Sequence, residues 1–475
     1  MALSLYDTKT RRKVRFDPVT PGHAGLYFCG PTVYSEPHLG HARGPVVFDV
    51  LRNWLEHEGL RVRLVSNVTD VGHLTDDADD GEDKLVARAA LERLEPMEVA
   101  EKYFWAYFDA MARLNVRRPS VVPRATGHVP EQIALVRQLL EAGLAYERDG
   151  SVYFDVSSWS DYGELSGRDP EELVEGTRVE VRSDKDDPRD FALWKRAEEG
   201  HLMRWESPWG EGFPGWHLEC SVMSTKYLGD EFDVHGGGLD LIFPHHECEL
   251  AQARGAGKPF ARTWIHWNMI TLGGEKMSKS KGHFVTLAGL FDRHEPAVVR
   301  FHLLRSHYRS VADFGEDALA GSLQGLQRLR DAWRSLRLRA GDAEPDGVFA
   351  EPARSVFAAG MDDDLGTPQA IAALFELARE SNRRLAELSP EQAADGAAAF
   401  EELLDGVLGV ELGSAEANGA AARERLDGLV EMVLEQREAA RLRRDFGTAD
   451  ELRDRLHDLG VDVEDTPEGP RVKLR

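Results

Sequence analysis

The stretch from Gly25 to Val68 constrains the fold more than any other part of the chain. GLYFCG (25–30) reads as a buried strand, VVFDVLRNWLEHEG (46–59) as a helix ended by glycine, and RVRLVSNV (61–68) as a second strand. Two strands joined by a crossover helix pair in parallel, so the order predicts an open parallel sheet with covering helices. One cysteine, Cys29, closes the first strand. His38 and His41 then bracket Gly40 where that strand hands over to the helix. A turn that carries a thiol and two imidazoles asks for a chemical reason.

The 475 residues suffice for two to four domains and a proper core. Hydrophobic content of 42% with 30% charged residues describes an ordinary soluble chain. No stretch approaches the roughly 18 apolar residues of a membrane span, and MALSLYDTKTRRKV is too polar for a secretory signal. Three cysteines in so long a chain indicate a reducing compartment, and a cytoplasmic location is expected. A net charge of −25 argues against a protein that coats nucleic acid nonspecifically. It leaves room for a specific RNA partner met by local basic faces, because fields decay over roughly 8 Å at physiological salt. Two candidate faces stand out. Arg330, Arg334 and Arg337 lie off a helical stripe of Leu326, Leu329, Trp333 and Leu336, and Arg437, Arg441 and Arg444 form a second set.

A polar insertion around RSDKDDPRDFALWK interrupts the opening unit, and sheet-like sequence resumes at GWHLECSVM, EFDVHGGGLDLIF and TWIHWNMITLGG. From about Leu287 the pattern is nearly all helical. SPEQAADGAAAFEELLDG and LGSAEANGAAARERL are Ala/Glu-rich and read as an exposed helix pair or a linker. The last fifty residues read as a basic helix, a second helix and a short hairpin.

Two motifs carry chemistry. In HLGH, Gly40 lets a ligand approach the backbone, and a helix N-terminus attracts phosphate. Two imidazoles there can donate to phosphate oxygens as charge builds, and Pro45 is expected within the first helical turn. In EKMSKSKG, Lys276, Lys279 and Lys281 stand among serines directly after a strand. Lysines on such a loop can close over a triphosphate and follow the leaving pyrophosphate. HLGH alone is only moderately specific and a basic loop is common, but the pair is highly specific.

Together they resemble the signatures of class I aminoacyl-tRNA synthetases. The wider text, FCGPTVYSEPHLGHAR, GWHLECS, HGGGLDLIFPHHECELAQ and WIHWNMITLGGEKMSKSKG, is similar to the cysteinyl-tRNA synthetase family specifically, from the N-terminus to the final hairpin. The resemblance implies an α/β fold: a Rossmann-type parallel-sheet catalytic domain with an insertion, followed by an α-helical C-terminal half. Expected boundaries are 1–126 and 209–285 for the two catalytic halves, and 127–208 for the connective insertion. A stem-contact region at 286–345, a helical bundle and linker at 346–420 and an anticodon-binding domain at 421–475 would follow.

The resemblance further implies that L-cysteine is activated with ATP to cysteinyl-AMP and passed to the terminal ribose of tRNA(Cys). His38, His41, Lys276 and Lys279 would be catalytic. ATP, with Mg²⁺, would meet His38, Gly40, His41, Gly238, Asp240 and Lys279. Cysteine would meet Cys29, Gly30, Thr69, Trp216 and His235. One zinc per chain would be held by Cys29, Cys220, His245 and Glu249; a monomer is expected, with no membrane contact. Spacing agrees, since His245 and Glu249 share a helical face. It does not decide, because Cys248 offers a rival thiolate in place of Glu249. A third thiolate would add negative charge and weaken the metal's pull on a substrate thiol, which favours Glu249. Zinc also suits the selection of cysteine over serine. A hydrophobic pocket separates the two by only about a hundredfold, whereas a metal reads the sulfur.

The chain departs from the family pattern at the acidic loop DVGHLTDDADDGEDK, at Phe213 where arginine is frequent, at Cys248 where asparagine is usual, and in a tail without tryptophan. Two rival functions stay open on the sequence. A cysteine:amino-sugar ligase of the mycothiol type shares the first step but needs no anticodon-binding domain. A non-catalytic RNA-binding paralogue could dispense with the histidines and the lysine loop, and both motifs are intact.

Overall fold

The computed structural model describes residues 2–74, 83–169, 185–198, 201–276, 285–413, 415–459, 461–466 and 469–474. The chain forms two compact units, Met1–Glu411 and Leu412–Arg475. At the centre of the first lie four parallel strands: β1 (His23–Phe28), β2 (Arg61–Ser66), β3 (Glu231–Gly238) and β4 (Phe260–Trp267). Their spatial order is β4-β3-β1-β2. Leu26, Tyr27 and Phe28 are all buried, as a strand covered on both faces requires. Helix α1 (Gly40–His57) makes the crossover from β1 to β2. It starts at Gly40, so Pro45 stands in its second turn and not its first. A Cβ on Gly236 would lie 2.5 Å from the ring of Phe48, so glycine lets α1 press directly onto β3.

This order matters for function. From β1 the chain crosses to β2 on one side, and β3 returns on the other. Such a switch point opens a crevice at the carboxyl ends of β1 and β3, where open α/β sheets bind ligands.

GWHLECSVM is not a strand. Leu218–Leu228 is a helix, α2, whose residues Leu218 to Thr225 are all buried. Burial all round erases the helical period, and a short apolar run then reads equally as a strand. Between β2 and β3 in sequence comes an antiparallel sheet of Ala145–Arg148, Ser151–Phe154, Phe191–Arg196 and Gly212–Pro214. Helix α3 (Glu247–Gly255) packs on β4 and meets β3 where Glu249 bonds His235.

The helical half also corrects two expectations. On helix α4 (Glu316–Ala340), Leu326, Leu329, Trp333 and Leu336 are buried as their spacing predicts. Arg330, however, is buried too, donating to Glu295 at 2.6 and 2.9 Å and to the Glu411 carbonyl. Arg334 pairs with Asp331 at 2.7 Å and Arg337 with Glu401 at 3.7 Å, but both stay partly exposed, so only Arg330 is withdrawn from the face. Helix α5 (Pro390–Phe400) is not exposed: Ala393, Ala394, Ala397 and Ala399 are buried. A Cβ on Gly396 would lie 3.0 Å from Leu336 of α4. Small residues here bring two helices close, a use that composition alone does not distinguish from a polar linker.

One buried imidazole gives the fold a pH signature. His302, in the helix Pro296–Leu304, sits between Ser322 Oγ (2.8 Å) and the Asp313 carbonyl (2.9 Å), and burial lowers its pKa. The unfolded chain takes up this proton near pH 6.5 while the folded chain resists it, so stability is full above about pH 6.5 and falls below it. His302→Gln keeps a donor and an acceptor without titrating. Its thermal midpoint should fall less steeply between about pH 6.5 and 5 than the parent's; equal slopes would refute the assignment.

The second unit packs helices Ala415–Leu442 and Phe446–Asp458 against an antiparallel hairpin, Val461–Thr466 with Gly469–Leu474. Val430, Leu456 and Val461 form its core. Arg437 is buried, whereas Arg441 and Arg444 are exposed. Side chains of 415–427 and of most of the hairpin lie outside the described residues.

Candidate active site and metal centre

The histidine turn leaves β1 at the switch point. Cys29 N bonds the Gly236 carbonyl at 3.1 Å, keeping the chain in the sheet one residue past β1. Gly30 is then forced: a Cβ there would sit 1.7 Å from the Asn67 carbonyl oxygen, and its N–H donates to Asn67 Oδ1 at 2.8 Å. His38 Nδ1 accepts from Gly40 N (3.1 Å) and His41 Nδ1 from His38 N (3.2 Å). With both Nδ1 atoms accepting, each neutral ring carries its proton on Nε2. The two rings stack at 3.7 Å. This is a pair of N–H donors at the start of a helix, suited to phosphate oxygens.

The second motif is tied to the same turn. Leu39 N bonds the Val285 carbonyl at 3.2 Å and Leu287 N the Pro37 carbonyl at 2.9 Å. On the other side of residues 277–284, the hairpin Ile270–Leu272 with Glu275–Lys276 leads in. Lys279, Lys281 and the side chain of Lys276 lie outside the described residues, as does most of the acidic loop, 75–82.

The metal-ligand candidates converge. Cys29 follows β1, Cys220 stands in the first turn of α2, His245 lies in the helical turn Ile242–His246 that leads into α3, and Glu249 in the first turn of α3. Cys29 Sγ lies 3.6 Å from Cys220 Sγ and 3.4 Å from Glu249 Oε1. His245 Nε2 lies 3.6 Å from Cys220 Sγ and 3.1 Å from Glu249 Oε1. Tetrahedral zinc with bonds of about 2.0–2.3 Å separates its ligand atoms by about 3.3–3.8 Å. Burial pushes the Cys29 thiol well up and the Cys220 thiol to about 12, and holds His245 well below the usual imidazole range. A cation among these donors is what would keep both sulfurs as thiolates.

A second set, Cys29, His235, His246 and Glu249, also clusters. It fits less evenly: His246 Nε2 is 3.9 Å from Glu249 Oε1, and His235 Nε2 meets the other oxygen, Oε2, at hydrogen-bond distance, 2.8 Å. His235 therefore orients Glu249, much as His217 Nδ1 meets His245 Nδ1 at 2.8 Å. His246 leans on His266 at 2.7 Å, and His266 on Thr8 at 2.7 Å. Cys248 is in neither set. It turns away from the cluster, 3.4 Å from Tyr162 Oη and packed near Leu218, Val222 and Phe191.

Trp216 stacks between His73 (4.0 Å) and His245 (4.3 Å), which makes it a wall of the cluster. Thr69 is buried, and its hydroxyl donates to Glu219, which also accepts from Asn67 Nδ2 at 3.2 Å. Burial raises the Glu219 carboxyl well above its ordinary range. Asp240 is exposed beyond β3, and a Cβ on Gly238 would meet its carboxylate at 2.3 Å. Phe213 is buried against His201, with ring centroids 4.6 Å apart. Sequence reasoning missed His73, His217, Glu219, His246 and His266. The HH doublet and the His-Leu-Glu-Cys run were the available signals.

The sheet, the switch-point crevice and the two tied motifs define a class I aminoacyl-tRNA synthetase. Residues 15–324 match the family of class I (C) tRNA synthetase catalytic domains. Solved methionyl-tRNA synthetase from Mycobacterium tuberculosis, bound to methionyl-adenylate, shares the fold with a TM-score of 0.60 at 16% identity, over 81% of this chain and 89% of that one. Residues 356–413 match the DALR domain and 423–471 the cysteinyl-tRNA ligase anticodon-binding domain. A cysteine–tRNA ligase of Thermus thermophilus is 56% identical over 100% of both chains. That of Deinococcus radiodurans is 54% identical over 99% of this chain and 96% of its own. The chain belongs to the cysteine–tRNA ligase family.

Proposed function

We propose that this enzyme joins L-cysteine to tRNA(Cys) in two steps and that a zinc ion selects the amino acid. The observation that carries the metal is the convergence of Cys29, Cys220, His245 and Glu249, whose donor atoms all lie within 4.8 Å of one another, four of the separations being 3.1–3.6 Å. Those four residues would hold one zinc per chain, which supplies a Lewis acid that favours a thiolate over a hydroxyl. Trp216 closes one side of the cluster. Thr69, with its proton engaged by Glu219, offers lone pairs to the substrate ammonium. In the first step a cysteine carboxylate oxygen bonds the α-phosphorus of Mg²⁺-bound ATP, the bond to the β-phosphate bridge breaks, and pyrophosphate leaves. His38, His41, Lys276 and Lys279 stabilise the phosphate charge, and Gly238 and Asp240 serve the ribose. In the second step the terminal ribose hydroxyl of tRNA, the 2′ by class I resemblance, takes the acyl group and AMP leaves. The domain boundaries given above, a cytoplasmic location and a monomeric state complete the reading. Among the described residues no helix is long and apolar enough to cross a membrane.

Cysteine-dependent ATP–pyrophosphate exchange tests the first step and charging of total tRNA the second. Removal of residues after Gly413, where the DALR match ends, should leave exchange within a few fold and reduce charging strongly. Equal loss of both activities in a folded truncation would assign 414–475 to the adenylate step. tRNA affinity of the intact chain should fall steeply with salt, as phosphate contacts require.

A further inference from the structure

Two residues after His41, Arg43 makes contacts that the two reaction steps leave without a role. It is 1% exposed. Nη1 donates to the Asn268 and Met269 carbonyls, both at 2.8 Å, and Nη2 to the His307 (3.0 Å) and Ser310 (2.5 Å) carbonyls. Among the described residues no carboxylate pairs with it, and although burial lowers its pKa to about 10 it stays charged at neutral pH. One rigid fork thus joins three pieces of chain: the helix that begins with the histidine turn, the entry to the hairpin Ile270–Lys276, and the loop 307–310.

That loop is itself held firmly. Asn268 N bonds the Tyr308 carbonyl at 2.8 Å, and Asn268 Nδ2 the Arg309 carbonyl at 3.0 Å. From the helical half, Asp364 accepts from Tyr308 Oη at 2.6 Å and Arg309 Nε at 2.7 Å. Asp364 and its neighbour Leu365 both have left-handed backbone, φ 63° and 51°, a strained pair that persists only where its surroundings over-determine it. The hairpin continues the bracket: Ile270 and Thr271 pair in parallel with Ala312 and Asp313, and Gly274 N donates to Asp313 Oδ1 at 2.7 Å. Residues 285–287 already pair with the histidine turn. Both approaches to the KMSKS stretch are therefore referenced to α1, the exit through backbone pairing and the entry through Arg43.

We infer that Arg43 is a positioning residue for adenylate formation, which fixes the hairpin ahead of the KMSKS stretch relative to His38 and His41. The inference rests on the reading that these two motifs act together on the phosphates of ATP. A lysine in place of Arg43 keeps the charge but, as a compact ammonium on a flexible stem, cannot span four carbonyls in a fixed plane. Displacements near 1 Å in a catalytic constellation cost on the order of a hundredfold.

The test uses full-length, zinc-loaded enzyme carrying Arg43→Lys, with His41→Ala as a control in the same exchange assay, rates being normalised to zinc content. Arg43→Lys should lower kcat at saturating ATP and cysteine by about ten- to a hundredfold, with the KM for cysteine within about twofold of the parent. A purely structural role would lower the thermal midpoint and leave kcat per folded molecule alone, and that result overturns the inference. If His41→Ala abolishes exchange while folded Arg43→Lys retains it, the inference fails and the phosphate reading stands; if neither variant loses exchange, both fail. Should Arg43→Lys not fold, Asn268→Ala loosens the same bracket from the hairpin side. A severalfold fall in kcat with unchanged cysteine KM supports the inference, and an unchanged kcat overturns it.

Discussion

Glu249→Ala is expected to leave the purified enzyme with well under one zinc per chain and without measurable cysteine-dependent exchange, whereas Cys248→Ser should keep both. Adjacent residues on one helix are predicted to behave oppositely because a step of about 100° gives them different neighbours. Glu249 is fully buried beside Cys29 (3.4 Å) and His245 (3.1 Å), and His235 orients its second oxygen. Loss of a residue that merely orients a ligand costs about ten- to a hundredfold in metal affinity, and loss of a ligand should cost more. Cys248 faces Tyr162 within an apolar cluster. There a serine hydroxyl can keep the contact to Tyr162 Oη at a modest packing cost. Metal content by elemental analysis reads the two variants independently of activity. Zinc lost from Cys248→Ser and retained by Glu249→Ala would reverse the ligand assignment, while zinc retained by both would remove Glu249 from the ligand set, since both candidate clusters contain it.

Lys279→Ala should slow adenylate formation by a hundred- to a thousandfold while leaving the KM for cysteine nearly unchanged. The motif supplies the lysine, and the proposed function assigns it to the departing pyrophosphate. Leu39 and Leu287 tie the histidine turn to the segment that leaves the KMSKS stretch, which supports the proposal that the two motifs serve the same phosphates. A group that engages pyrophosphate as it departs binds the transition state more strongly than the ground state, so its loss appears in kcat. Removing one such donor costs about 2.7–4 kcal/mol. The proposed function puts thiol recognition elsewhere, at Cys29, Cys220, His245 and Glu249, which is why cysteine affinity should not move. A raised cysteine KM with kcat intact would place Lys279 in substrate binding instead.

Much of this was legible in the chain. The strand–turn–helix–strand of Gly25 to Val68 is local, and each element carries its own period and stop signal. HLGH and KMSKS are short runs whose chemistry lies in residue type, and the i, i+4 spacing of His245 and Glu249 follows from helical pitch. Other features depended on what surrounds an element. Leu218 to Thr225 are buried on all sides, so the helical period of that segment vanished, and the alanines of α5 look the same whether they face water or a second helix. Arg330 reads as part of a solvated basic face until Glu295 and the Glu411 carbonyl come up against it. The choice between Cys248 and Glu249 turned on the roll of α3, which is set by contacts to Tyr162 on one side and to Cys29, 220 residues away in sequence, on the other. Arg43 shows the same limit, since its four carbonyl partners carry no residue signature. Local periodicity and side-chain chemistry are written in the sequence. Which groups converge across two hundred residues is decided by how the sheet and helices pack, because those contacts exist only once the chain has folded.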